Sequence, residues 1–363
     1  MTLKNYIFFT RLKMQKTLAM PISGAHFVNQ VAICKHLVQN GYCPDLILGT
    51  SGGSITGTML LTCGIGDVKC RDSYLEFEQK MDEMLSTLCS DHYCLPWCDF
   101  EPLSNIIGYG RGSMFNRGTG VDFLMGYDCD LSKQPELVIG THNKHLQHCE
   151  LFSTRSSHHS ILNEDDIDHP LTFLDHDVNQ LIVTTTASSA VPLLVPPIWI
   201  GAHQHQDGGV SFASPLGPCM NVFNQKQTLS YHVIYISPVR YSRDNEPEGD
   251  EMENDNVWSK IGASMTGMVT GLHIADRNNG IRAVCFGYNE AEVHTSSGKG
   301  AEALQKALLI QRHAARSFIE LAPLCHHRVN FIRMKCGDVK REVDGSYRDG
   351  FSVHHWWVLH NPR

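Results

Sequence analysis

The sequence predicts an α/β fold built on a central, mostly parallel sheet with helices on both faces. Leu18-Ala19-Met20 and Leu46-Ile47-Leu48 are apolar runs of strand length. Between them Phe27, Val31, Cys34 and Val38 fall on one helical stripe, closed by the stop signal Asn40-Gly41. A second helix is expected from Gly52 to about Thr62, ending at Gly64. Strand, helix, strand and helix in such short order call for parallel pairing, because parallel strands need a crossover to join them.

The elements that follow are less regular. Residues 67–98 carry a charged amphipathic stretch and then a cysteine-rich piece. Gly108-Tyr109-Gly110-Arg111-Gly112 lacks the Gly-Lys-Ser/Thr of a phosphate loop and reads as a plain loop before a helix at Val121–Met125. Glu136–Gly140 and Leu181-Ile182-Val183 are strand candidates, separated by a polar, histidine-bearing loop, and Tyr231–Ile236 is a further strand. Residues 243–255 hold seven acids and one base and are expected to form a mobile, solvated loop. Ala301–Leu321 reads as one helix, with Leu304, Leu308, Ala315 and Ile319 on one face, and Arg328–Met334 as a last strand. Trp356-Trp357-Val358-Leu359 suits a packed terminal strand, with an interfacial anchor as the alternative.

Composition narrows the function classes. The chain has 363 residues, 42% of them hydrophobic and 19% charged, enough for one large domain with a sizeable core. Net charge is −8 and no block of lysine or arginine stands out, which excludes a nucleic-acid footprint. Thirteen cysteines are dispersed through apolar stretches and are expected to be reduced thiols of a cytoplasmic protein. His92, Cys94 and Cys98, with Cys89 nearby, match no standard zinc spacing, so no metal site is expected. Tyr6-Ile7-Phe8-Phe9 is too short for a signal-peptide core, and residues 1–16 read as a short basic leader. No run approaches the roughly 20 apolar residues of a membrane span. Any contact of such a chain with a membrane would be peripheral.

The chemistry is concentrated in Gly49-Thr50-Ser51-Gly52-Gly53. A G-x-S-x-G at a strand-to-helix turn presents the serine as a nucleophile on a strained backbone, and its glycines let strand and helix pack closely. The positive end of the following helix faces the serine and favours a developing oxyanion. The serine needs a base. Asp207, in Asp207-Gly208-Gly209, is one candidate; His203 and His205 lie close by and are read as loop residues, with a histidine-based esterase as an alternative.

Three segments in order resemble the patatin-like phospholipases. These are the Gly49–Gly53 elbow, Ala187-Ser188-Ser189-Ala190-Val191-Pro192 followed by Val195-Pro196-Pro197, and Asp207-Gly208-Gly209-Val210 followed by Pro215-Leu216. The resemblance covers residues 17–335, taken as the patatin-like three-layer domain, with 336–363 as a C-terminal tail. It implies a lipid acyl hydrolase of phospholipase A or acylglycerol esterase type, in which Ser51 attacks and Asp207 accepts its proton, without cofactor. The substrate would be a phospholipid or another acylglycerol. The family's glycine-rich oxyanion loop corresponds to Ile22-Ser23-Gly24-Ala25-His26-Phe27, where only Gly24 is kept among the glycines and His26 stands in place of arginine. Backbone amides of Ser23, Gly24, Ala25 and Gly52 remain the expected oxyanion donors, and any lost positive φ would distort the loop. His26 either covers the arginine's role or starts the helix. Leu193-Leu194-Val195 and Ile198-Trp199-Ile200 are candidates for an acyl groove or for core strands. A non-catalytic lipid-binding scaffold is the rival reading.

Overall fold

The computed structural model describes residues 15–88, 99–100, 115–116, 129–162, 167–192, 195–219, 231–238, 257–285, 292–296, 300–323 and 351–359. The expectations at residues 89–98, Gly108–Gly112, Val121–Met125, 243–255 and Arg328–Met334, and those at Leu193 and Leu194, fall outside these residues.

The first third follows the pattern of its apolar positions. β1 (Gln15–Met20) leads through a short 3-10 turn, Gly24–His26, into α1 (Phe27–Gln39). Phe27, Val31, Cys34 and Val38 are all buried on α1, and Gly41 takes φ 76° just beyond its end. β2 (Leu46–Thr50) turns into α2 (Gly52–Thr62), and Gly64 follows with φ 82°. α3 (Arg71–Leu88) lays Phe77, Met81 and Met84 into the core. It also meets α1 through a buried Lys35, which is ion-paired to Asp82 on α3.

Further along come β3 (Asp99–Phe100), β4 (Phe115–Asn116), β5 (Glu136–Asn143), β6 (His148–Ser153) and β7 (Leu171–Phe173). They are followed by α4 (Val178–Ser188), β8 (Ile198–Ile200), β9 (His203–Asp207), β10 (Tyr231–Ile236) and α5 (Val257–Cys285). The last elements are β11 (Glu292–Ser296), α6 (Gly300–Gln311), β12 (Ala314–Pro323) and β13 (Phe351–Leu359).

The main sheet has the order β11-β13-β12-β10-β1-β2-β5-β6-β7, with β9 also on β5 and β8 on β9. β12, β10, β1, β2 and β5 run parallel to one another in turn. Antiparallel pairs lie toward the edges. From β1 the chain moves one way to β2 and β5, and later the other way to β10 and β12. Strand order therefore reverses at β1, and crevices at the carboxyl ends of strands beside such a reversal are the usual ligand sites of α/β sheets.

The pleat separates two cores. Leu18, Met20, Ile47, Leu137, Ile139, Ile234, Ile236 and Ile319 face α1, α2, α3, α4 and α6. Their neighbours Ala19, Leu46, Leu48, Val138, Val233, Tyr235 and Phe318 face the other way, toward Ala283 and Val284 of α5. Strands buried on both faces read as near-continuous apolar runs, as Leu46–Leu48 and, but for His232, Tyr231–Ile236 do.

Two expectations are corrected. Leu181-Ile182-Val183 is not a strand but part of α4. Asp177 caps that helix, its carboxylate accepting from the amides of Asn179 and Gln180. The single helix expected over Ala301–Leu321 ends at Gln311, turns at Arg312-His313 and becomes β12. Ala315 and Ile319 thus belong to a strand whose residues are all buried between β10 and β13. Pairing on both edges outweighed the local helical pattern. Trp356 and Trp357 are buried in β13, a packed strand rather than an anchor. β13 falls within the stretch read from sequence as a tail.

Ile198 is buried while Trp199 is 58% exposed. Among the described residues, Cys34, Cys43, Cys63, Cys70, Cys129, Cys149, Cys219 and Cys285 form no disulfide. Among the described residues no helix is long and apolar enough to cross a membrane, and no group of His, Cys, Asp and Glu is arranged to hold a metal ion.

Candidate active site

Ser51 sits between β2 and α2 with φ 55° and ψ −125°. A residue with a side chain rarely adopts that conformation. The turn is as tight as the glycine pattern demands. A Cβ on Gly53 would lie 1.9 Å from the carbonyl oxygen of Met20, so α2 rests directly on the end of β1. α2 begins at Gly52, and the amides of a first helical turn have no partner within the helix.

The Ser51 hydroxyl donates to Oδ2 of Asp207 at 2.6 Å. Both side chains are buried, at 4% and 5% exposure. Asp207 ends β9, where Thr141 of β5 is its partner in the ladder. Its second oxygen, Oδ1, accepts the Gly209 amide at 2.7 Å. Burial pushes the Asp207 carboxyl up to about 6, against the lowering effect of the hydrogen bonds from Ser51 and Gly209. A base of that strength suits proton transfer near neutral pH.

The second sequence segment ties the other two together. Ser188 Oγ accepts the Ser51 amide at 2.9 Å and donates to the Gly140 carbonyl at 2.7 Å. The Ala190 carbonyl accepts the Asp207 amide at 3.0 Å. Ser188 lies inside a segment singled out from sequence, yet nothing in the sequence marks it as the support of the elbow.

The strap after β1 lies against the start of α2. A Cβ on Gly52 would fall 2.2 Å from Ser23 Oγ and 2.8 Å from the Gly24 carbonyl oxygen. Gly24 has φ 51°, whereas Ser23 has φ −140° and His26 φ −74°. Among the described residues, the non-glycine positions with positive φ are Ser51, Gln147, Asp175 and His176. The one positive φ of the strap therefore falls on its retained glycine, and Ser23 and Ala25 cost no backbone strain. The expected distortion is absent. His26 ends the 3-10 turn and takes the N-cap position of α1, without a side-chain cap bond.

Gln30 of α1, which sequence reasoning missed, secures the strap. Its Nε2 donates to the carbonyls of Pro21 at 3.0 Å and Ile236 at 3.2 Å, and its Oε1 accepts from Ser23 Oγ at 3.0 Å.

The nearby histidines are engaged elsewhere. His205 Nδ1 is 2.9 Å from Thr141 Oγ1, and its Nε2 faces Glu150 at 3.7 Å. His203 packs against His145, with ring centroids 5.5 Å apart. Among the described residues, the partner of the Ser51 hydroxyl is Asp207.

No curated protein matches the sequence. Among solved structures, VipD from Legionella pneumophila is similar at 11% identity and a TM-score of 0.32, over 91% of this chain. This chain spans 66% of the VipD chain. The family model for patatin-like phospholipase matches residues 24–220, a span that holds the elbow, the Ser188 segment and Asp207-Gly208-Gly209. By that match, over more than half of its length, the chain belongs to the patatin-like phospholipase family.

Proposed function

We propose that this chain hydrolyses carboxylic esters of lipids by a Ser51–Asp207 dyad. The observation that carries this reading is the 2.6 Å hydrogen bond from the Ser51 hydroxyl to Asp207 in a buried site. Asp207 Oδ2 takes the hydroxyl proton as Oγ attacks the ester carbonyl. The carbonyl oxygen gains negative charge, met by amides of the strap and of Gly52 at the start of α2. Collapse expels the alcohol, which takes the proton from Asp207, and leaves an acyl ester on Ser51. Water then attacks that ester with Asp207 again as base, and as the intermediate collapses Asp207 returns the proton to Ser51 Oγ and the fatty acid leaves. These steps balance without metal or organic cofactor.

The substrate class is phospholipid or another acylglycerol, met at a membrane surface. The scaffold alternative drew its support from the altered oxyanion loop. Placement of the one positive φ at Gly24 removes the steric ground for it. The histidine-based alternative is disfavoured by the engagement of His205 with Thr141 and Glu150.

The test is fatty-acid release from mixed phospholipid vesicles, followed by mass spectrometry, for wild type, Ser51→Ala and Asp207→Asn. Release by wild type that vanishes in both variants is the expected result. Release that survives Asp207→Asn would remove the dyad. No release from vesicles or short-chain esters by folded wild type would return the scaffold reading.

A further inference from the structure

Past the elbow the sheet continues as two hairpin ends. β2 and β9 share one edge of β5: β2 pairs with it up to Gly140, and β9 pairs with it from Thr141 to Asn143. β9 therefore prolongs the line of β2 beyond Ser51, running the opposite way. β8 lies on the far edge of β9. The turn between β5 and β6, residues 144–147, lies on its other side, where the Lys144 amide donates to the Gln204 carbonyl at 2.8 Å. His203, at the outer end of β9, is four residues from Asp207, about 13 Å of strand. Both hairpin ends thus extend from the carboxyl side of the sheet, beyond Ser51 and Asp207.

Their surface is apolar at two points. Trp199 and Leu146 are 58% and 53% exposed. The His145 ring joins them, lying 5.7 Å from the Trp199 ring and next to Leu146 in the chain. An isolated exposed apolar side chain needs no explanation, but here a tryptophan and a leucine stand on adjoining turns beside the site. The turns are held by hydrogen bonds. Asn143 Oδ1 accepts the amides of His145 and Leu146 at 3.0 and 3.1 Å, and the Gln204 amide donates to His145 Nδ1 at 3.1 Å. Side chains on a backbone so fixed lose little freedom on meeting a partner.

Charge narrows the kind of partner. Residues 141–149 and 198–206 hold one lysine, five histidines and no acid, in a chain of net charge −8. These ionisable groups, thiol apart, are neutral or positive at any pH. Of the flanking acids, Glu150 faces His205 Nε2 at 3.7 Å, and Asp168 precedes β7, on the side of β6 away from β9. An indole has an apolar body and a polar N–H and suits the boundary layer of a bilayer, while a lysine is attracted to an anionic lipid surface.

Resting on the ester-hydrolase reading above, we propose that the hairpin ends at 144–147 and 199–203 are the face on which this chain settles against an anionic phospholipid bilayer. Trp199 and Leu146 enter the headgroup layer, and Lys144 lies against lipid phosphates. The bilayer then lies on the side of the sheet that carries Ser51.

Binding is measured with the full chain carrying Ser51→Ala, so that no lipid is consumed. The protein is sedimented with vesicles of phosphatidylcholine alone, or of equal parts phosphatidylcholine and phosphatidylserine. Trp199→Ser, Leu146→Ser, Lys144→Glu and Leu309→Ser are each added to this parent, and circular dichroism verifies their folding. Leu309 is 55% exposed on α6, which packs on β12 and β13 toward the other end of the sheet. Trp199→Ser and Leu146→Ser should each lower the partition coefficient on mixed vesicles about tenfold, and Leu309→Ser should not change it. Lys144→Glu should weaken binding to mixed vesicles and leave binding to phosphatidylcholine alone unchanged. Brominated phosphatidylcholine should quench indole emission in the parent and quench it less in Trp199→Phe. No binding by the parent, binding unchanged in both Trp199→Ser and Leu146→Ser, or quenching unchanged in Trp199→Phe would overturn the proposal. Fatty-acid release by the chain with Ser51 intact separates the two readings. Release together with binding that ignores these residues keeps the hydrolase and defeats the face. Binding that depends on them without release keeps the face and defeats the hydrolase.

Discussion

Ser188 is to the backbone of Ser51 what Asp207 is to its side chain: the Ser188 hydroxyl accepts the Ser51 amide at 2.9 Å. The elbow holds Ser51 at φ 55°, a conformation that costs roughly 1–3 kcal/mol and persists only where the surroundings over-determine it. Ser188→Ala leaves the buried amide of Ser51 and the carbonyl of Gly140 without this partner. A loss of about 1–3 kcal/mol is expected, read as a lower denaturation midpoint and accompanied by reduced kcat. An unchanged midpoint would mean that water replaces the hydroxyl.

On the proposed dyad, Asp207 gives the reaction its acid limb. Proton transfer from Ser51 needs the carboxylate, so kcat/KM should rise with pH through about 6, the value to which burial pushes this group. The same shift acts on stability with the opposite sense. The folded-state value lies above the ordinary 3.8, so the native state holds the proton more tightly than the unfolded chain. That contribution is fully present below about pH 4 and is lost as pH rises through about 6. A shift of about two units corresponds to about 3 kcal/mol at most. Asp207→Asn should therefore abolish turnover and raise the melting temperature at pH 7. A variant that melts lower than wild type at that pH would contradict the linkage.

Ser23→Gly would restore a family-like glycine, and on sequence grounds it should raise turnover or leave it intact. The geometry reverses that expectation. Ser23 already has φ −140°, so glycine relieves no strain, while the bond from Ser23 Oγ to Gln30 Oε1 at 3.0 Å is lost. A destabilisation of about 1 kcal/mol and a lower kcat are expected. Steady-state kinetics beside a melting curve distinguish the two outcomes.

Asp177→Ala tests the start of α4, the helix that carries Ser188. The Asp177 carboxylate caps the amides of Asn179 and Gln180 at 2.8 and 3.1 Å. Its removal should cost about 1 kcal/mol in urea denaturation, with a smaller effect on kcat than Ser188→Ala, because the cap lies at the other end of α4 from Ser188, about three turns away.

The parts of the fold legible in the sequence are those where local pattern and tertiary demand agree. α1 and α2 combine a periodic stripe or glycine turn with clear stops at Gly41 and Gly64. β2 and β10 are mostly apolar because both of their faces are covered. Misreadings occurred where long-range pairing decides the outcome. Ala315 and Ile319 continue the spacing of Leu304 and Leu308, and only the flanking strands β10 and β13 make them a strand. Leu181-Ile182-Val183 is a short β-branched run whose helical state is set by the cap at Asp177, four residues upstream. At the site, Ser51 and Asp207 were legible because glycines constrain what may stand beside them. Gln30 carries no such mark. Its partners Ser23, Pro21 and Ile236 are 7, 9 and 206 residues away in the chain, and only folding reveals them.

The position of β13 orders events during synthesis. It is translated after β11 and β12, yet it lies between them in the sheet. Until it emerges from the ribosome, β12 offers a row of unpaired backbone groups along one edge, beside the apolar Phe318 and Ile319, an invitation to pair with another nascent chain. β1, β2, β5, β9 and β10 have all been made by then, so the part of the sheet that bears Ser51 and Asp207 can assemble while that edge is still open. A chain stalled before residue 351 would thus combine a nearly complete site-bearing half with an adhesive border, the kind of species that a holding chaperone retains.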